Sequence, residues 1–392
     1  MDVCFWPPLQ LLACARAARG IVYAFDLKTL NYGNYDIKLV KEKVSRIRIP
    51  VVTRIASKLT NSANQKNSLP LPTNIQTQLI GTVLELGLEI DKWFQNNLLA
   101  SQNNFDVRNT LSWRSIGIID SFKTARVLIR NDSFSIKNKF YVARKYYFEE
   151  DAQRLWPKMT ADQRFQIRRF STVSVSYQQW LRALDNNTDL DWEQISLNIE
   201  NEEFFCNNYV GIPYFFTRLQ GREVRYKCIR SCLAHGLLRP FDLYFCLHQL
   251  KAEELNDVFT RLPKNLMHKV FESFLYWPLQ IIFLDMVNSF KAHINGYIFF
   301  SLICVLLDKL QFGWEDHTYV DLFKHFWNAL SSQYSSFVKK RQILVRVVKY
   351  VLNAPVPFDF KDYRNFVGNE KEKQKAKTKR CRFLDIFLPC NI

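Results

Sequence analysis

The sequence predicts an all-α protein, an irregular α-solenoid of antiparallel helix pairs, on three observations. Apolar residues recur at helical spacing in segment after segment. Glycine is scarce, eleven in 392 residues, against roughly 7% in average chains. No segment of comparable length alternates at period two, and Asn295-Gly296, the one Asn-Gly near apolar runs, opens a helix-length stretch rather than a hairpin.

The elements follow in chain order. Ile75, Leu79, Val83, Leu86 and Ile90 mark a helix after Pro72. Thr160-Ala161-Asp162-Gln163 is a capping-box pattern that starts another. Pro240, Pro263 and Pro278 stand near the starts of apolar-periodic runs, where a missing N–H costs nothing. Leu255, Val258, Phe259 and Leu262 form one stripe, and Leu266, Met267, Val270, Phe271, Phe274 and Leu275 the next. Ile294 to Leu307 is an apolar run of fourteen residues, including Asn295 and Ser301 and flanked by Lys291, His293 and Asp308. It is shorter than the roughly 18 residues a bilayer span requires, so it reads as a buried helix. Tyr319, Leu322, Phe323, Phe326, Trp327 and Leu330 make a single face, as do Ile343, Leu344, Val347, Val348, Val351 and Leu352.

Connections fix the expected organisation. Residues 1–60 form a basic helical segment with ten Lys/Arg against four Asp/Glu. Residues 61–74 are a polar linker, and residues 75–367 a helical-repeat array with a sub-boundary near 185–190. Residues 368–392 are a basic tail expected to be disordered. Trp6-Pro7-Pro8-Leu9-Gln10 echoes Trp277-Pro278-Leu279-Gln280, but no constant period emerges.

Composition excludes several function classes. The closest glycines, Gly81 and Gly87, lie too far apart for a G-x-G-x-x-G loop, and no G-x-x-x-x-G-K, G-x-S-x-G or H-E-x-x-H occurs. No catalytic constellation and no cofactor site is expected, so the reading is non-enzymatic. The N-terminus lacks a basic leader and the nine cysteines form no framework, which predicts reduced thiols and an intracellular, cytoplasmic and/or nuclear location.

Trp113-Arg-Ser-Ile-Gly-Ile-Ile-Asp120 running to Ala125, then Phe148-Glu-Glu-Asp151 with Leu155-Trp156, resembles an expanded family of uncharacterised α-helical repeat proteins. Phe274-Leu-Tyr-Trp-Pro-Leu-Gln280 and Lys324-His-Phe-Trp327 resemble later segments of that family. The resemblance covers about residues 9 to 367. The family is similar in texture to ankyrin and HEAT arrays without the signature residues of either, and the resemblance implies no activity and no catalytic positions.

Four clusters carry residue types found in functional sites. Cys228, Cys232, His235, Cys246 and His248 contain the residue types and turn spacing of a tetrahedral metal site. Cysteines inside an apolar helix are more commonly plain hydrophobes, so no metal is assigned. His317, Asp321 and His325 at i, i+4 and i+8 share a helix flank and read as a solvated edge. Glu149-Glu150-Asp151 reads as a solvated first turn. Leu262-Pro263 through Leu275 resembles the opening helix of an F-box, which makes an F-box-like adaptor the second alternative function.

The expected function is a scaffold for protein–protein interaction, its partner another protein. The first alternative is a basic nucleic-acid-binding protein, supported by a net charge of +17 and by Arg46, Arg48, Arg54 and Lys58 near one another. A basic surface broken up by acids favours the scaffold. In the tail, Lys371, Lys373, Lys375, Lys377, Lys379 and Arg380 have the composition of a localisation signal or phosphate-contacting segment. Phe383 to Leu388 beyond them add membrane-surface contact as an alternative.

Overall fold

A computed structural model of the chain describes residues 5–26, 29–30, 35–50, 68–97, 107–171, 175–197, 203–355 and 357–375. The all-α expectation holds: the described chain is mostly helical, and its one ladder joins Arg48–Pro50 to Ser68–Pro70 in antiparallel register. The chain divides into two compact units. One holds residues 6–134 and 315–317, the other residues 1–5, 135–314 and 318–392. The division falls at Phe134 and Ser135, inside the stretch that the sequence assigns to one array.

The smaller unit is built on the Thr73–Asn97 helix, which packs against the Leu9–Tyr23 and Ile37–Ser45 helices. Leu79, Val83, Leu86 and Ile90, the stripe read from the sequence, are buried with Ala18, Val22, Val40 and Val44 in one core. Asp36 caps the Ile37–Ser45 helix, accepting from the Lys38 N–H at 2.8 Å. The Trp113–Asp120 stretch is a tight reversal, in which the Arg114 N–H donates to the Ile118 carbonyl at 2.8 Å and Gly117 adopts φ 79°. Asp120 then caps the Ser121–Arg130 helix through the Lys123 N–H at 3.1 Å, and the Trp113 indole donates to the Tyr23 hydroxyl at 2.7 Å.

In the larger unit the anticipated capping box forms. The Gln163 N–H donates to Thr160 Oγ1 at 3.2 Å, and the Thr160 N–H donates to Gln163 Oε1 at 3.0 Å. The run read as a buried helix is the Gly296–Phe312 helix, capped by Asn295 through the Ile298 N–H at 3.0 Å and ended by left-handed Gly313. It pairs antiparallel with the Tyr319–Lys339 helix. Phe299, near its start, meets Tyr334 near the partner's end (ring centroids 5.8 Å apart), while Lys309, near its end, lies over the Tyr319 ring at 4.9 Å. No described helix is long and apolar enough to cross a membrane.

Two boundaries differ from the sequence reading. The Lys264–Ser273 helix stops before Phe274 and Leu275, which are nonetheless fully buried. The last helix, Phe360–Lys375, runs past Val367 into the segment expected to be disordered. Tyr363 and Val367 bury an apolar face, and Glu370, itself buried, takes the Arg346 guanidinium at 2.6 Å. An ion pair and a continuing stripe supply the stabilisation that composition alone does not reveal.

Candidate functional site

Cys228, Cys232, His235, Cys246 and His248, the residues with metal-ligand spacing, separate by depth. Cys228 and Cys232 lie on the Arg222–Ala234 helix and Cys246 on the Pro240–His248 helix; all three are fully buried, while His235 and His248 are exposed. Among the described residues no group of three or more His, Cys, Asp or Glu is placed to hold a metal ion. Burial pushes the Cys228 and Cys246 thiols well above the usual range; a hydrogen bond with Cys232 adds to this at Cys228, and the Asp242 charge adds to it at Cys246. These thiols are neutral and pack as hydrophobes. His248 stacks on Tyr244, with ring centroids 5.7 Å apart.

His235 has a different partner, one that the sequence does not indicate. Its Nδ1 lies 3.4 Å from Cys206 Sγ and 2.9 Å from the Ser231 carbonyl oxygen, and Ser231 Oγ is 3.6 Å from the same sulfur. Cys206 sits on the Glu203–Asn208 helix, 29 residues from His235, and only packing of that helix on the Arg222–Ala234 helix brings them together. Cys206 is half-buried; the other five described cysteines, Cys14, Cys228, Cys232, Cys246 and Cys304, are buried.

Three arginines of the same region are matched to acids. Arg225 pairs with Glu254, Arg222 with Glu253 at 3.3 Å, and Arg261 with both Glu223 at 2.8 Å and Asp257 at 3.1 Å. The Arg225–Glu254, Arg222–Glu253 and Arg261–Glu223 pairs tie the Arg222–Ala234 helix to the Ala252–Arg261 helix. Burial raises the Glu254 carboxyl, but the Arg225 guanidinium and the Lys251 N–H outweigh it and hold the group below its ordinary range.

Glu149 corrects the reading of residues 149–151 as a solvated turn. Its carboxylate is buried, pairs with Arg218, and accepts the Leu190 N–H at 2.8 Å and the Trp192 indole N–H at 3.1 Å. Glu150 is exposed, as expected, and Asp151 pairs with Arg154. Arg218 also lies over the Tyr214 ring at 4.8 Å. Tyr147, Trp192 and Phe215 pack beside it, with Tyr147 and Phe215 centroids 4.7 Å apart.

The remaining candidates place as follows. His317 precedes the helix that begins at Tyr319, so the one-flank arrangement with Asp321 and His325 does not form. His325 Nδ1 instead lies 2.7 Å from the Asp321 carbonyl oxygen of its own helix. In the F-box-like stretch, Leu266, Met267, Val270 and Phe271 are buried in the larger unit. Arg46 pairs with Glu42, while Arg54 and Lys58 lie outside the described residues. Of the tail cations, Lys371, Lys373 and Lys375 fall on the last helix; Lys377, Lys379 and Arg380 lie outside the described residues. No family model matches the chain, and neither the curated proteins nor the solved structures yield a match.

Proposed function

We propose that the chain is a non-enzymatic helical scaffold that binds another protein, its helix pairs stacked as an irregular solenoid within the cell. The observation that carries this reading is the matching of Arg222, Arg225 and Arg261 to Glu253, Glu254, Glu223 and Asp257. A phosphate-tracking face needs cations available to displace counterions. Arginines already shared with carboxylates hold helices together instead. Exposed Phe165 on the Ala161–Ser171 helix adds an aromatic ring of the kind enriched at protein interfaces.

The full chain, immobilised and washed at moderate salt, is expected to retain a protein partner that then co-elutes with it at fixed stoichiometry when both are purified. Phe165→Ala should weaken that complex without lowering the melting temperature. Mixed-sequence RNA or DNA binding that falls steeply with salt, with no co-eluting protein, would overturn the scaffold in favour of the nucleic-acid reading.

A further inference from the structure

We propose that Trp6-Pro7-Pro8-Leu9 is a preformed polyproline II ligand, docking into an aromatic-lined groove with acidic edges on a partner protein. Its sequence echo supplies the contrast. Trp277 and Leu279 of Trp277-Pro278-Leu279 are buried, whereas Trp6 and Leu9 are 83% and 84% exposed, above every other large apolar side chain among the described residues. Backbone chemistry orders the exposed turn. A residue before proline is pushed to extended backbone, which applies to Trp6 and Pro7, and each proline ring locks its own φ at about −65°. Pro8 lies at φ −66° and ψ 152°, the polyproline II region. That helix turns once in about three residues, so Trp6 and Leu9 share one side, about 9 Å apart along the axis. The echo lacks the second proline, and its leucine comes one position too soon for that register.

The backbone of the turn is open to a partner as well. Among the described residues nothing donates to the Trp6 or Pro7 carbonyl, while the Pro8 carbonyl takes the Leu12 N–H at 3.2 Å. A groove that recognises polyproline II takes side chains at this spacing between its rings, and its rim donors reach such carbonyls. A ligand already held in the bound conformation gives up little entropy on docking. Charge specifies the acidic edge. The Leu9–Tyr23 helix carries Arg16 and Arg19 and no acid, and neither arginine has an acidic partner among the described residues. Arg16 is exposed and lies seven residues after Leu9, about two turns and 10 Å along the same face. Cations beside the turn favour a groove with carboxylates at that end. A lipid surface would take Trp6, Leu9 and the arginines, but it gains nothing from the polyproline II backbone.

The test titrates a panel of isolated SH3, WW and EVH1 domains against the immobilised full chain, beside vesicles of phosphatidylcholine and phosphatidylserine. At least one domain is expected to bind saturably. Trp6→Ala and Leu9→Ala should each weaken that binding about tenfold or more, and leave the circular-dichroism melt unchanged because both side chains are exposed. Arg16→Glu should weaken it less, by a margin that shrinks as salt rises. The inference rests on the scaffold reading for a protein partner but on different residues, so Phe165→Ala should leave the domain binding unchanged. A panel without a binder, or binding that survives Trp6→Ala, would overturn the proposal and leave the scaffold's co-eluting partner standing. Vesicle binding that Trp6→Ala abolishes, with no domain bound, would overturn it in favour of a lipid surface.

Discussion

Arg218 and Glu149, 69 residues apart, form an ion pair whose carboxylate is buried and whose guanidinium lies over the Tyr214 ring. The same carboxylate takes the N–H of Leu190 and the indole of Trp192, so one side chain fastens three separate parts of the larger unit. A buried carboxylate with this many donors is stabilising only while all of them are present.

Glu149→Ala is therefore expected to cost about 2–4 kcal/mol, since it strands two N–H donors and one cation whose own partial exposure softens the loss. Glu149→Gln keeps an acceptor and should cost less. Urea denaturation of both variants checks the order.

Two glycines test close packing. A methyl at Gly81 would overlap the backbone of Glu315 and Asp316, which cannot swing aside, with the Asp316 Cα at 2.7 Å. At Gly296 the nearest atoms it would meet belong to the Phe337 ring, which is exposed and can rotate away. Gly81→Ala should destabilise by about 2 kcal/mol or more, and Gly296→Ala by clearly less. Thermal melts of the two variants make the comparison.

Asp308 supplies a pH signature. Burial pushes its carboxyl up to about 6, against a smaller opposing pull from Lys371. The folded chain then holds a proton that the unfolded chain has released between the ordinary carboxylate range and pH 6. Its contribution is fully present below that range and is lost as pH rises through 6. Asp308→Asn should raise the melting temperature relative to the parent at pH 7.5, and the difference should shrink towards pH 4.

Ending the chain at Val367 tests the last helix. It removes Glu370, paired with Arg346, and Lys371, whose Nζ lies 3.5 Å from Gln311 Oε1. The melting temperature should fall, and Glu370→Ala alone should reproduce part of the fall, about 1 kcal/mol given the partial exposure of Arg346. An unchanged melt for the truncated chain would return residues 368–375 to the role of a solvated tail.

The sequence alone determined the helical class and most of the buried faces. Leu79, Val83, Leu86 and Ile90, and Tyr319, Leu322, Phe323 and Phe326, are buried as their spacing requires. The Thr160–Gln163 box closes as its residue types require. Period and capping chemistry act within one or two turns, so they are written in neighbouring residues. Only the tertiary structure decided which polar groups meet. The Cys206–His235 contact spans 29 residues and the Glu149–Arg218 pair spans 69, and the Arg346–Glu370 pair carries the last helix beyond the point where composition turns basic. Charge pairing and burial are set by which helix faces pack together, and that choice comes from the sum of many weak apolar contacts, which no local pattern encodes.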